Sequence, residues 1–283
     1  KIFQQSSLPV RYSLITNATL FDDSLIELVI SNSVSMQVTI DGDRRTHDAR
    51  RAWKTTGHGT FDQIFQNLEK IAARGGSNLI HARMNVDRFN IHEVEFVAKR
   101  IKSLNIPTFT CGRIDFREKM TDYSVNTISA REFDETFDLE IFKILQPLGY
   151  ADSPSRMDCV DTCPYHWDNC FSVSPTLHLF KCDELIDYPE LCVGYIDPEG
   201  VPVIDKVNYH KAVSRKPTDF EECLSCKYLP QCGSGCFVRA LNSSGTAHKK
   251  FCEVTYETVR RKVSAFVHAE SLGLLSSSEQ TIC

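Results

Sequence analysis

The stretch Glu222–Cys236, ECLSCKYLPQCGSGC, places Cys223, Cys226, Cys232 and Cys236 at the spacing C-x2-C-x5-C-x3-C. Thiols this close can hold a structural zinc ion, which takes four tetrahedral thiolate or imidazole ligands, commonly as two short C-x-C pairs. They can also form disulfides, or hold iron–sulfur clusters at four thiolates each. Cys223 and Cys226 make a zinc-like pair, and Cys232 and Cys236 make one only loosely. The chain carries 12 cysteines in 283 residues, and ten of them lie between Cys159 and Cys252. Ten suffice for two four-thiolate sites with two left over. The first residues, KIFQQSSLPVRYS, lack the charged-then-apolar layout of a secretion leader. Metal or cluster ligation is therefore expected ahead of disulfides.

The elements that must position these residues divide the chain in two. With 42% hydrophobic residues, 283 residues can bury the core of one large domain or two ordinary ones. A net charge of −5 gives no basic excess for nucleic acid, and no apolar run reaches the length of a membrane span, so a cytoplasmic protein is expected. The first half alternates strand and helix patterns. Strands are expected over 11–16, 35–40, 78–86 and 108–114, and helices from Asp22 or Asp23, over 60–75, over 91–104 and over about 130–148. In the clearest helix Phe61, Ile64, Phe65, Leu68 and Ile71 share one face, Thr60 is expected as its cap and Gly75 as its stop. Four strand–helix units in series predict a parallel α/β sheet or barrel. From about 153 to 252 helical periodicity is weak, and short strand-like pieces sit among Pro, Gly, Asp and Cys. A region so poor in long elements needs staples. A last helix is expected over about 253–270.

The block C-x2-C-x5-C-x3-C followed by one further cysteine, here Cys252, resembles the SPASM domain, a C-terminal extension of radical S-adenosylmethionine (SAM) enzymes that modify peptides and proteins. Upstream, Cys163 and Cys182 fit the domain's first pair, with Leu177 where the pattern has Gly. The resemblance implies two auxiliary [4Fe-4S] clusters with interleaved ligands. The first takes Cys163, Cys170, Cys182 and Cys236; the second takes Cys223, Cys226, Cys232 and Cys252. Cys170 lies outside the pattern, and Cys159 or a substrate thiolate on an open iron are the alternatives. Cys111, Cys192 and Cys283 are expected as buried or incidental thiols. Asp183, next to Cys182, matches a proposed proton acceptor of sulfatase-maturating relatives. Burial would raise its pKa toward that task; the plain alternative is a solvent-exposed acid in CDELID.

The first half resembles the same superfamily. LITNATLFDDSLIELV is similar to a TNGTLL…ELI segment, and QVTIDGDRRTHDARRAWKTTGHGTFDQIFQNLEKI to a SIDG…HD..R…G.GSF segment. The resemblance covers about 11–270 and implies part of a (β/α)6 barrel, from its third strand onward over residues 1–150, then a cysteine-rich SPASM domain over 151–253 and a C-terminal helix and tail over 254–283. It implies SAM contacts at Thr39 and Asp41, whose carboxylate can accept from both ribose hydroxyls, and at Asn17 on the same rim. His47, Asp48 and Arg51 match the pattern too, as ligand contacts or as a structural network. A C-x3-C-x2-C loop, which holds the SAM-cleaving [4Fe-4S] cluster in that superfamily, does not occur in the sequence. The expectation is therefore the C-terminal part of a longer enzyme, with SAM and a third cluster in the whole protein. The implied partners are a peptide or protein substrate and an electron donor such as flavodoxin or ferredoxin, without nucleic acid or membrane. The implied reaction is hydrogen abstraction from a side chain by a 5′-deoxyadenosyl radical, as in peptide maturases. Two other classes stay open: a non-catalytic cluster-binding or electron-transfer partner, and a zinc-stabilised interaction domain.

Overall fold

The structure is a computed structural model; it describes residues 10–114, 127–128, 132–133, 137–150, 163, 165, 167–252 and 267. Cys159, Cys283, the helix expected over 253–270 and part of the one expected over 130–148 lie outside the described residues. The chain forms two compact units, Lys1–Ser155 with Ala265–Gln280, and Arg156–Ser264 with Thr281–Cys283.

The first unit runs β1 (Ser13–Thr16), α1 (Asp23–Ser31), β2 (Ser35–Thr39), α2 (Arg44–Arg50), α3 (Phe61–Ala73), β3 (Ile80–Val86), α4 (Val94–Lys102), β4 (Thr108–Arg113) and α5 (Asp138–Leu145). The strands form one parallel sheet in the order β1-β2-β3-β4, so the fold is α/β as the alternation predicted. The residue pattern of each strand decides what its two faces meet. In β3, Ile80, Ala82, Met84 and Val86 are buried, while His81, Arg83 and Asn85 between them are half-buried. The buried set joins Met36 and Val38 of β2, Phe109 of β4, Ile26 and Val29 of α1, Ile64, Leu68 and Ile71 of α3, and Val97 and Ile101 of α4 in one core. These helices thus cover one face of the sheet. The other face is mostly polar, carrying Gln37, Thr39, His81, Arg83, Asn85 and Thr110, with the exposed Ile15 of β1 beside Gln37. Parallel sheets are usually apolar on both faces, so a polar face marks a surface kept for something other than a core.

The helix ends follow local chemistry. Asp22 caps α1 by accepting from Leu25 N at 2.8 Å. At the end of α3, Gly75 takes φ +81, its N–H reaches Ala72 O and the Gly76 N–H reaches Ile71 O, both at 2.9 Å. That paired closure is the Schellman stop, and only glycine adopts its left-handed position without strain. Thr60 occupies the cap position of α3 but its hydroxyl makes no cap bond; the Asp48 carboxylate accepts from Phe61 N instead, at 2.8 Å.

The second unit holds an antiparallel sheet of four short strands, β5 (Ser172–Val173), β6 (His178–Phe180), β7 (Gly194–Ile196) and β8 (Pro202–Ile204), in sequence order. Helices α6 (Lys206–Val213), α7 (Glu221–Leu224), α8 (Leu229–Cys232) and α9 (Phe237–Ser244) follow. Its core is small: Tyr165, Phe180, Leu185, Phe237 and Val238, with Tyr165 stacked on Phe237 at 3.8 Å between ring centres.

Leu177 sits at φ +63 in the turn between β5 and β6, where Leu177 N donates to Ser174 O at 2.9 Å. The turn expected of a glycine therefore forms around a leucine. A left-handed L-residue costs about 1–2 kcal/mol, partly offset by the greater freedom glycine has in the unfolded chain. Leu177→Gly should raise the unfolding free energy by up to about 1 kcal/mol, measured by chemical denaturation.

Candidate functional site

Two regions concentrate polar side chains, one in each unit. In the first unit they gather at the carboxyl ends of the strands, where open α/β sheets bind ligands. Asp41, just past β2, is 1% exposed. Its Oδ2 accepts from Arg51 Nε at 2.6 Å and its Oδ1 from Asn85 N at 3.1 Å. Thr39, 9% exposed, ends β2 on the polar face. His47 is fully buried behind this rim. Its Nδ1 accepts from Asp41 N at 3.1 Å, so Nε2 carries the proton and donates to Thr60 Oγ1 at 3.1 Å, and the Thr60 hydroxyl donates on to Arg51 O at 2.5 Å. Burial pushes the His47 imidazole down to about 4, beyond what the nearby Asp41 restores.

A second knot braces the same rim. Asp87 accepts from Arg50 Nη2 with both oxygens at 2.8 Å and from Phe89 N at 2.9 Å. Asn90 Nδ2 donates to Asp41 O at 3.0 Å and to Asn85 O at 2.9 Å. Asp41 is thus a rigid post at the rim. Asn17 is exposed; its Oδ1 accepts from Thr19 N at 3.2 Å and Thr19 Oγ1 at 2.9 Å, the geometry of a turn residue. Arg83 Nε donates to Asn85 Oδ1 at 3.1 Å, and its guanidinium occupies the space a Cβ at Gly112 would need. His81 Nε2 lies 2.8 Å from Thr110 Oγ1. These polar-face residues were not singled out from the sequence, although the alternation in IHARMNV carries the signal. Cys111 lies against the core, where burial pushes its thiol up to about 12, as befits an inert residue.

In the second unit the cysteines gather around two turns. None of the described cysteines is in a disulfide. Gly233, Ser234 and Gly235 take φ +54, +71 and +84 in succession, so the chain between Cys232 and Cys236 is left-handed throughout. A Cβ on Gly235 would run into the Phe251 carbonyl, and Phe251 N donates to Ser234 O at 3.0 Å. This close approach brings Cys252, which follows Phe251, to the block. The buried Cys223 thiol is pushed up first by burial and then by the charges of Cys252, Cys232 and Cys226. The segment that carries Cys252 therefore lies against the segment that carries Cys223, Cys226 and Cys232. An ion pair from Lys250 Nζ to Glu222 Oε1, at 3.0 Å, clips the two segments beside Cys223 and Cys252.

The upstream cysteines are held differently. Lys181, 3% exposed, donates from Nζ to Trp167 O at 2.5 Å and Cys170 O at 2.9 Å, and lies over the Phe171 ring at 4.8 Å. One buried ammonium thus ties the Cys170 loop to the residue before Cys182. Burial first, and then the charges of Cys182 and Cys163, push the Tyr165 hydroxyl up to about 12. Cys236 connects to this group through Phe237, which stacks on Tyr165. Asp183 is exposed, not buried as the sequence argument supposed; its Oδ1 accepts from Cys182 Sγ at 3.6 Å. Cys192 donates to Gly194 O at 3.1 Å and packs on the small core. No group of three or more His, Cys, Asp or Glu among the described residues stands ready to hold a metal ion. The donor chemistry nonetheless suits iron–sulfur ligation: soft thiols flank a turn whose Ser234 and Gly235 carbonyls accept from the buried Arg215.

No family model matches the chain. It is similar to an uncharacterised protein of Archaeoglobus fulgidus, 25% identical over 264 residues, covering 86% of this chain. The chain spans 60% of the length of that curated relative. Among solved structures it is similar to anSMEcpe, an anaerobic sulfatase-maturating enzyme with bound AdoMet, at a TM-score of 0.65 and 17% identity, covering 98% of this chain and 76% of that one. It is also similar to Streptococcus suis SuiB bound to precursor peptide SuiA, at a TM-score of 0.57 and 12% identity, covering 87% of this chain and 59% of that one. At these identities the likeness is one of fold. No helix among the described residues is long and apolar enough to cross a membrane.

Two outcomes follow from this geometry. His47 holds its neutral form in the fold, with a pKa near 4 against 6.5 unfolded. Its contribution is present above pH 6.5 and is lost as pH falls toward 4, because the unfolded chain takes up the proton first. Stability measured by denaturation should drop over that window by an increment of order 3 kcal/mol, and His47→Gln should abolish that increment. Gly235→Ala should cost at least about 2 kcal/mol, since strain adds to the collision with Phe251. Gly233→Ala, with nothing within 4 Å of its missing Cβ, should cost about 1 kcal/mol.

Proposed function

We propose that this chain works in a radical SAM/SPASM enzyme that modifies a peptide or protein side chain, and that the cysteines of the second unit hold two auxiliary [4Fe-4S] clusters. The observation that carries the reading is the approach of the segment carrying Cys252 to the block carrying Cys223, Cys226 and Cys232, through Gly235 against the Phe251 carbonyl and the Lys250–Glu222 ion pair. Cys223 and Cys252 are 29 positions apart, and the Gly235–Phe251 approach brings their segments together. The fold supports the general kind, since its solved neighbours are an AdoMet-bound sulfatase-maturating enzyme and a peptide-bound SuiB. In the whole enzyme, SAM and a third cluster supply the radical that abstracts hydrogen, and the auxiliary clusters supply one-electron transfer or a ligand position for substrate. An electron donor of the flavodoxin or ferredoxin kind completes the set.

The residues of this chain then have defined tasks. Cys163, Cys170, Cys182 and Cys236 form the first ligand set, and Lys181 holds the Cys170 loop for it. Cys223, Cys226, Cys232 and Cys252 form the second. Asp41, fixed by Arg51 and Asn85, and Thr39 face SAM at the strand rim. For Asp41 the two bonds it already makes leave further lone pairs to accept from ribose hydroxyls. Asn17 shapes the adjoining turn. Asp183, exposed beside Cys182, takes the substrate's proton as the side chain is oxidised; exposure leaves it open to substrate.

Anaerobic reconstitution with iron and sulfide, followed by iron counting and electron paramagnetic resonance, tests the reading. About eight irons per chain are expected for two cubane clusters; stoichiometric zinc without iron would instead establish an interaction domain. Cys232→Ala and Cys236→Ala should each lose about half the iron and should remove different resonance signals. Loss of the same signal in both would overturn the interleaved assignment.

A further inference from the structure

A cavity of about 290 Å³ opens on the antiparallel sheet of the second unit, where His178, Cys192, Tyr195, Val203, Asp205 and Asn208 line it. None of the cysteines read as cluster ligands is in its wall. Strand register builds one side. His178 of β6 is the partner of Tyr195 of β7, and Tyr195 that of Val203 of β8, so the three side chains stand in one row on one face. Tyr195 is 49% exposed and Val203 37%, which leaves a ring and an aliphatic side chain open to a ligand. The start of α6 builds the polar end. Asp205 caps that helix with Oδ1, which accepts from Val207 N and Asn208 N, both at 3.0 Å. Its Oδ2 accepts from no described residue. Asn208 Nδ2 donates to Cys192 O at 3.1 Å, so its Oδ1 is a second open acceptor. The charge around the cavity is one-sided. From Asp183 to Asp205 the chain carries seven Asp or Glu and no Lys or Arg. Asp197, Glu199 and Asp205 make no ion pair among the described residues, and neither does the exposed Lys206. No Lys or Arg lines the cavity. An aromatic wall, an aliphatic wall and an unpaired carboxylate together suit a cation on an apolar stem. An anionic ligand would meet like charge.

We propose that this cavity receives a basic side chain, arginine above all, of the peptide or protein that the enzyme modifies, with Asp205 Oδ2 and Asn208 Oδ1 accepting from its N–H groups and the Tyr195 ring lying against it. Arginine fits better than lysine because its planar fork can meet a carboxylate and lie flat on a ring at once. The partner is taken from the reading above, but the cavity itself needs no iron, so the two readings fail separately. Each contact is partly open to water and weak alone. The cavity therefore selects which stretch of a peptide is seated and does not by itself bind tightly.

The test is calorimetric titration of the 283-residue chain at low salt with the peptide acetyl-Gly-Ala-Arg-Ala-Gly-amide. The same peptide with citrulline for arginine is the uncharged match in shape. The chain should bind the arginine peptide about fivefold more tightly, from one exposed ion pair and one cation–ring contact. Asp205→Asn removes the charge and keeps the helix cap, since asparagine caps as well as aspartate. That variant and Tyr195→Leu should each remove most of the preference. Glu27→Gln, which deletes an exposed carboxylate of the first unit, should leave it intact. Equal affinity for the two peptides overturns the proposal. So does a preference that Glu27→Gln lowers as much as Asp205→Asn, which assigns it to net charge. A chain that takes up no iron yet keeps the Asp205-dependent preference supports the cavity and overturns the cluster reading; an iron-replete chain without the preference does the reverse.

Discussion

The second unit depends on one close backbone approach. Three left-handed residues between Cys232 and Cys236 turn the chain so that Ser234 meets Phe251 N and Gly235 lies against the Phe251 carbonyl. Without that approach Cys252 would have no reason to stand near Cys223, because the small core of Tyr165, Phe180, Leu185, Phe237 and Val238 does not reach across the whole region. These five, with the other buried apolar side chains described there, Leu179, Val193, Cys223 and Ala240, cannot at about 1.5–3 kcal/mol each by themselves order so many turns. The unit therefore relies on point ties such as a buried ammonium at Lys181 and a buried guanidinium at Arg215. Both cations satisfy backbone carbonyls of the loops that carry ligand candidates, which makes them framework and electrostatics at once.

The first unit solves the opposite problem. It has apolar core to spare, and its polar side chains serve to hold the strand rim. Asp41, His47, Thr60, Arg51, Asp87 and Asn90 form linked hydrogen bonds in which the buried donors and acceptors largely satisfy one another. Such a network holds its geometry because any one member that moves leaves another buried and unpaired. A carboxylate at a rim so braced loses little freedom when a ligand arrives.

Much of this was legible in the residues. The four parallel strands, the apolar stripe of α3, the Asp22 cap and the Gly75 stop follow from period, cap and glycine chemistry, and the structure places them within a few residues. The candidate ligands were legible only through the spacing of their thiols, since nothing local in ECLSCKYLPQCGSGC says that Phe251 packs on Gly235. Arg215 and Lys181 were invisible for a general reason. Arginine and lysine are expected on the surface, and their burial is decided by carbonyls distant in sequence. The Thr60 hydroxyl departs from the expected cap because a cap motif is local, whereas His47, thirteen residues earlier, competes for the same oxygen. Leu177 shows the reverse case: a turn that asks for glycine tolerates a leucine because the pairing of β5 with β6 closes around it.

The alternation along β3 has a consequence for how this chain can change. One strand supplies Ile80, Ala82, Met84 and Val86 to the core and His81, Arg83 and Asn85 to the open face. Point substitutions on the odd positions can rewrite the chemistry of that face without touching the core. Insertion or deletion of one residue cannot, since it would exchange the two sets along the rest of the strand. New specificity on this face is thus accessible by substitution at fixed length, and length variation is confined to the loops beyond the strand ends.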